Sequence, residues 1–456
     1  MISERNDSDA VKRAVAVVRE AGVHLTRLVW CGNDGTVRAK GVSTPRLEER
    51  LVGGVGLSRA QPAQNAHDSI ADVPGMTPVG EFRLLPDPET LRVLPYAPAT
   101  AAMLADWIAL DGTPEPTCPR ELVRRMERRL AERGLAARVG FESEFVLARP
   151  VDGGWEPIDR SPCFSTTGAM AAQDAMEALL VAFDQQRIAV DGAHAEGGDG
   201  QQEIAFAPGD PLRAADEQVL ARETLRGVAA SLGMAASVAP KPFPEAAGNG
   251  LHVHLSLFTP DGRNAFCDEA APGGLAAPAR HAVAGLLDHL PGLCALTAPS
   301  ANSYRRLAPS TWSGAWRCWG YDHREAAVRA CSPLAGREQQ SANIEYKPSD
   351  ASASPHLAVG ALLAAVIDGI DRGAEPAAPA DADPAGLTED RRAELCIEQL
   401  PATPADALDA LAADEVLLDA LGPELARSFI AVRRSEWEVS AGVTAERDCA
   451  DHFLRY

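Results

Sequence analysis

Two glutamates stand one residue apart in Phe141-Glu142-Ser143-Glu144-Phe145. On a strand, residues two apart share a face. Glu142 and Glu144 then point one way, and Phe141, Ser143 and Phe145 the other. Like charges side by side repel, by about a few tenths of a kcal/mol or more. A cation between them turns the repulsion into ligation, although a solvent-facing strand edge accepts the same pair. The same alternation puts His252, His254 and Ser256 on one face of the run from Gly248 to Leu257, with Leu251, Val253, Leu255 and Leu257 facing a core. Glu196 and Glu203 flank a turn containing Gly197, Gly198 and Gly200. In Asn343-Ile344-Glu345-Tyr346-Lys347, Glu345 and Lys347 share a face, which also suits a plain surface ion pair. Arg305, Arg306, Arg317, Arg324 and Arg329 lie between these last two clusters and suggest a local anion site.

Glu142, Glu144, Glu196, Glu203 and Glu345 with His252 make a set of hard oxygen donors plus one imidazole. That set suits Mg2+ or Mn2+, and nearby arginines suit polyphosphate. Metals plus arginines are the physical recipe for phosphoryl transfer. The sequence has no Gly-x-x-x-x-Gly-Lys-Ser/Thr, so the nucleotide site is not a P-loop.

Short strands must carry these residues, and helices must back them. Strands are expected over 137–148, 201–207, 250–258 and 342–347, and helices over 170–189, 213–231, 277–290 and 356–370. Earlier in the chain, 9–21 reads as a helix capped by Asp9, and His24 to Cys31 as a strand that pairs back with Thr36 to Val42 through Gly32-Asn33-Asp34-Gly35. Residues 111–119 read as a linker, and a helix follows with Thr117 as its cap and Pro119 in its first turn. This places a domain boundary near 112, giving units 1–112 and 113–456. The strands come in antiparallel-looking blocks, so the fold class is α+β and not a doubly wound sheet. Residues 371–386 read as a loop.

The chain has 456 residues, of which 46 % are apolar, and a formal charge of −21. It can bury a sizeable core. The acidic balance excludes a nucleic-acid coat or an anionic-membrane binder. No run reaches the 18 or so apolar residues of a membrane span, and Met1 to Asp9 is charged with no signal-like apolar run after it. Nine scattered cysteines without a Cys-x-x-Cys point to a reducing cytoplasm rather than a disulfide framework.

Six pieces occur in a telling order: Glu-Ser-Glu-Phe at 142–145, Gly-Gln-Gln-Glu at 200–203, Asn-Gly-Leu-His-Val-His-Leu-Ser at 249–256, Asn-Ser-Tyr-Arg-Arg-Leu at 302–307, His-Arg at 323–324 with Arg329, and Ile-Glu-Tyr-Lys-Pro-Ser-Asp at 344–350. In these the chain resembles the glutamine synthetase family, class I-like, over nearly its whole length. The resemblance implies an N-terminal β-grasp domain and a larger catalytic α+β domain on an antiparallel sheet. It implies hexameric rings, usually paired into dodecamers, with sites between subunits. By motif, Glu144, Glu196 and Glu203 would hold one metal, and Glu142, His252 and Glu345 another. His254, Ser256 and Arg324 would contact ATP, and Arg329 would stabilise the transferring phosphoryl group. Asn249, Gly250 and Arg306 would hold the carboxylate substrate, with Arg306 as clamp. The implied chemistry phosphorylates the γ-carboxylate of glutamate and then forms an amide with nitrogen, in a site using two or three Mg2+ or Mn2+ ions.

The sequence departs from that family at the ammonium site. The acidic Asp-Gly-Ser-Ser loop corresponds to Gly53-Gly54-Val55-Gly56-Leu57-Ser58, which has no acid. A flap glutamate six residues after the substrate arginine corresponds to Trp312. An indole in place of a carboxylate favours a larger, partly apolar amine, and its face attracts an organic ammonium. The expectation is therefore γ-glutamyl–amine ligation, with ethanolamine, polyamines, alkylamines and arylamines as candidates. Glutamine synthesis and a non-catalytic ring-forming homologue are the alternatives. Trp316 and Trp319 are nearby but read as core. Lys347 stands where the family usually has arginine, and lysine is not a bidentate fork, so acid recognition is also expected to differ. The tyrosine adenylylated in bacterial relatives would fall near Ile397, where no tyrosine stands.

Overall fold

The computed structural model describes residues 8–456, so the charged start up to Asp7 lies outside the described residues. The first helix, Ser8–Glu20, buries Val11, Ala14, Val15 and Val18, the stripe expected from their spacing. Asp9 sits inside its first turn and pairs with Lys12, so it does not cap the helix. The helix lies on a mixed sheet ordered Val37–Ser43, Leu25–Cys31, Thr100–Ile108, Glu81–Pro86, Val55–Ser58. Leu25–Cys31 runs parallel to Thr100–Ile108, and the other pairs in that order are antiparallel. Leu28, Trp30, Met103 and Trp107 meet the helix stripe in one apolar cluster. A helix on a mixed sheet fits the expected β-grasp.

Residues 109–118 are more ordered than a linker. They turn back to pair Ile108 with Pro114, and Glu115 is buried against Arg59. The helix that follows, Pro119–Ala131, has Cys118 at its N-cap and no side-chain cap. Thr117 donates to Glu115 instead, so it is not the cap its position suggested.

The large sheet runs Glu398–Gln399, Trp316–Tyr321, Ala326–Cys331, Asn343–Tyr346, Leu251–Phe258, Ala136–Val151, Gln201–Phe206, Val190–Ala195. Its pairs are antiparallel except Trp316–Tyr321 with Ala326–Cys331. The fold class is α+β, as expected. Leu251, Val253, Leu255 and Leu257 are all buried, so one face is dry and the polar face is left for the site. Helices Pro119–Ala131, Pro211–Ser231 and Ala277–Thr297 pack against this sheet. Pro355–Arg372 crosses Ala277–Thr297 at Gly369 and Gly285. A Cβ on Gly285 would stand 2.1 Å from the carbonyl of Ala365, and one on Gly369 2.1 Å from that of His281.

Two helices depart from expectation. The 170–189 segment is two helices, Thr166–Ala171 and Gln173–Gln185, broken at Ala172. The 277–290 helix continues through Pro291 to Thr297. A proline costs the donor to the carbonyl four residues back, which is Leu287. Here Arg317 Nε donates to that carbonyl at 2.8 Å, so the helix continues without an orphaned acceptor.

Candidate active site

The polar face of the large sheet builds the site by register. His194 is paired across the strands with Glu203, and Glu203 with Glu144, forming one row. Glu142 is paired with His252, forming a second, and Glu345 with both His254 and Arg329, forming a third. A cavity of about 910 Å3 opens over these rows. It is lined by Glu142, Glu144, Glu196, Glu203, His252 and Glu345, by Arg306, Arg324, Arg329 and Lys347, and by Trp312. The six expected metal ligands thus share one cavity with the three expected catalytic arginines.

Two cation-sized groupings share Glu142. Glu142, His252 and Glu203 bring ligand atoms together, as do Glu142, His254 and Glu345. The third grouping is His194, Glu196 and Glu203. His194 Nε2 is 3.0 Å from Glu196 Oε1 and 3.6 Å from Glu203 Oε1. Glu144 leans the other way, accepting from the backbone N–H of Gly250 at 2.8 Å and from Gln201 Nε2 at 2.9 Å. His194 therefore stands beside Glu196 and Glu203, while Glu144, expected with them, lies opposite Glu203 and lines the same cavity.

The electrostatics call for a cation. Burial, then the carboxylates of Glu142, Glu144, Glu196 and Glu345, push the Glu203 carboxyl up to about 9. Burial would also raise Glu345, but Lys347, His252, His254 and Arg329 outweigh it and hold it at about 2. Glu142 is held well below the usual range, despite burial, by His252 and His254. Five carboxylates and imidazole nitrogens facing one space fit Mg2+ or Mn2+. A pH dependence follows from Glu203. Its folded-state pKa lies above its unfolded value of 4.5, so the native state binds the extra proton and loses stability as pH rises between them. Melting temperatures of chelated protein are expected to fall from about pH 5 to 9. Saturating Mg2+ or Mn2+ should abolish that slope.

Arg306 is buried, and its Nη1 has no hydrogen-bond partner. Its Nη2 contacts His252 Nε2 and the carbonyl of Lys347, each at 3.3 Å. A buried guanidinium with a free donor on a cavity wall fits an incoming carboxylate. Gly250 makes this packing possible. A Cβ there would stand 2.6 Å from His252 Nε2 and 2.7 Å from Arg306 Nη2. Asn249 supports the turn rather than facing the cavity: its amide donates to the carbonyls of Ser237 and Ala239 and accepts from Gln201. The cavity wall at this turn is Ala246, Ala247 and Gly248. His254 sits behind Glu142, 3.1 Å from it, and Ser256 lies further along the same face; neither lines the cavity. Arg329 Nε is 2.6 Å from Glu345, and Lys347 Nζ is 3.4 Å from it. Arg305 lines the cavity but is tied to Asp448, while Arg317 pairs with Glu398 away from it.

Trp312 is 57 % exposed and lines the cavity, with the Arg324 guanidinium 5.8 Å from its ring centre. Trp316 and Trp319 are buried core, as their surroundings in sequence suggested. Sequence reasoning missed His194, Gln201 as a site residue, and the wall formed by Cys163, Phe164, Lys241 and Glu245. His194 could have been found, since it stands two residues before Glu196 at the end of an alternating strand. Gln201 opens the expected strand 201–207, and the four wall residues come from loops with no periodic signal.

Residues 9–115 match the glutamine synthetase N-terminal domain, and residues 116–449 match the glutamine synthetase catalytic domain. The chain is 38 % identical over 434 residues to the gamma-glutamylpolyamine synthetase GlnA3 of Streptomyces coelicolor, covering 93 % of each. It is 32 % identical over 418 residues to the glutamine synthetase of Pyrococcus abyssi, covering 91 % of this chain and 90 % of that one. Among solved structures, a novel glutamine synthase homolog superposes with a TM-score of 0.84 at 34 % identity, covering 95 % of this chain and 99 % of that one. The GmaS/ADP complex superposes with a TM-score of 0.83 at 30 % identity, covering 95 % and 97 %. With sheet, cavity and sequence in agreement over nearly its whole length, the chain belongs to the glutamine synthetase family.

Proposed function

We propose that the protein is an ATP-dependent ligase that joins the γ-carboxylate of glutamate to an organic amine through γ-glutamyl phosphate. The observation that carries this reading is Trp312, an exposed indole on the cavity wall where the family resemblance calls for a carboxylate. The likeness to a gamma-glutamylpolyamine synthetase supports it. In the first step a glutamate γ-carboxylate oxygen bonds to the γ-phosphorus of ATP, and the bond to ADP breaks. In the second the amine nitrogen bonds to the acyl carbon, phosphate leaves, and the nitrogen releases a proton.

Bound Mg2+ or Mn2+ supplies charge neutralisation for the phosphates. Glu196 and Glu203, with His194 or Glu144, would hold one ion, and Glu142, His252 and Glu345 another. Arg306 clamps the carboxylate of glutamate through its free Nη1. Arg324 and Arg329 bind the phosphate oxygens, and Lys347 offers a point charge rather than a fork. The cavity walls exclude water that would hydrolyse the acyl phosphate. A cytoplasmic homo-oligomeric ring, hexameric or dodecameric, completes the reading. No helix among the described residues is long and apolar enough to cross a membrane.

The test is phosphate release with ATP, Mg2+ or Mn2+ and glutamate against a panel of ammonium, ethanolamine, putrescine, spermidine, an alkylamine and an arylamine. Turnover with an organic amine and little with ammonium is the expected result; ammonium alone would instead make the protein a glutamine synthetase. Trp312→Glu is expected to shift the ammonium-to-amine ratio of kcat/KM toward ammonium by about tenfold or more, since one carboxylate beside a small cation is worth at least ~1.4 kcal/mol. An unchanged ratio would remove Trp312 from amine selection.

A further inference from the structure

Trp312 stands on a loop that one buried side chain holds from beneath. Glu325 is 6 % exposed. Its Oε1 accepts from the backbone N–H of Trp312 at 2.8 Å, and its Oε2 from that of Ser310 at 3.1 Å. Both residues are left-handed, with φ of 56° at Trp312 and 60° at Ser310. Neither is glycine, so neither prefers that backbone by itself, and something outside the loop must select it. Glu325 is suited to do so, because its two oxygens meet the two N–H groups that this conformation turns inward. The loop closes on itself at its other end, where Ser313 and Thr311 hydroxyls donate to the carbonyl of Ala308. Glu325 also directly follows Arg324, whose guanidinium stacks on the Trp312 ring.

We propose that Glu325 is a positioning residue that fixes Trp312 as a preset wall of the amine subsite, so that selection for an organic amine is built in before substrate arrives. This rests on the ligase reading above. A carboxylate is required because both partners are donors. Glutamine in its place presents one NH2 to an N–H and can hold only one of the two.

The experiment has two arms. In unliganded full-length protein, hydrogen exchange at the Ser310 and Trp312 amides is measured for wild type and Glu325→Gln. Protection in wild type and its loss in the variant is expected; equal exchange overturns the clamp without reference to any substrate. The second arm measures KM for the turned-over amine and for glutamate in wild type, Glu325→Gln, Trp312→Ala and the double variant. Glu325→Gln is expected to raise the amine KM about fivefold while glutamate KM stays within about twofold, and the double variant should be no worse than Trp312→Ala alone, as for two residues acting through one contact. Multiplying effects, or an unchanged amine KM, would overturn the positioning role. Should Glu325→Gln fold poorly, Glu325→Asp keeps both acceptors but withdraws them, and the same directions are expected. Failure of the ligase reading shows separately, as absence of amine turnover in wild type.

Discussion

Glu345→Gln is expected to lower amine-dependent phosphate release by about a thousandfold or more, in line with losing a fixed charge from a phosphoryl-transfer site. The carboxylate is buried, 3.3 Å from His252 Nδ1, 2.6 Å from Arg329 Nε and 3.4 Å from Lys347 Nζ. Burial alone would raise it, yet Lys347, His252, His254 and Arg329 hold it at about 2. Glutamine removes that charge and leaves the buried Lys347 and the partly buried Arg329 without their partner. It also takes one donor from the Glu142–His254–Glu345 grouping. Two readouts separate the causes. Mn2+ binding to the free protein should weaken, and KM for glutamate should change less than kcat, because the carboxylate clamp is Arg306. The sequence left open a surface ion pair between Glu345 and Lys347. A surface pair is worth about 0–1 kcal/mol, so a loss of only a few-fold would restore that plainer reading.

The same pair shows what a sequence can carry. Period-two alternation is local, so the face shared by Glu142 and Glu144, and that shared by His252 and His254, were legible, as were the strands that bear them. Which faces meet is a matter of register. Nothing local says that Glu203 lies opposite Glu144 or that Arg329 lies opposite Glu345. Family resemblance pointed across that gap by putting the six acidic and imidazole residues in one site, and the register does bring them to one cavity; the amide of Asn249 turns to backbone carbonyls. Glu325 had no signal, because its role is to meet two amides of a left-handed turn fifteen and thirteen residues earlier.

The elements missed also have physical reasons. Trp316–Tyr321 and Ala326–Cys331 are covered on both faces along much of their length, so apolar and polar residues do not alternate cleanly there. Pro291 reads as a helix stop, and only a side chain from another strand, Arg317, makes it tolerable. The segment 170–189 contains no proline or glycine, so nothing in it marks the break at Ala172. At Pro291 a tertiary contact overrides a correct local preference.

Arg120→Met is expected to cost about 3–5 kcal/mol of stability, the range for removing one partner of a buried ion network. Arg120 is 3 % exposed and satisfies three carboxylates from different parts of the chain. Its Nε and Nη2 grip Asp216 at 2.9 and 2.7 Å, its Nη1 meets Asp106 at 2.8 Å, and its Nη2 also meets Asp87 at 2.9 Å. Asp106 belongs to the small sheet, and Asp216 to the helix Pro211–Ser231 that packs on the large one. One guanidinium therefore fastens the first sheet to the body that carries the site. Burial would raise the Asp216 carboxyl, but Arg120 and His356 hold it at about 2, below its ordinary 3.8. A carboxyl lowered on folding gives stability that is present above its unfolded pKa and lost as pH falls through the folded one. The cost of Arg120→Met should thus be full at pH 7 and should shrink toward pH 3, where the unfolded chain also takes up protons. Urea unfolding at both pH values measures it, or unfolding rates if the transition is irreversible. Adding Asp216→Asn to Arg120→Met should recover part of the loss, because it removes the charge that was stranded. A loss below about 1 kcal/mol, typical of exposed pairs, would mean that water already screens the cluster and that apolar packing alone joins the two sheets.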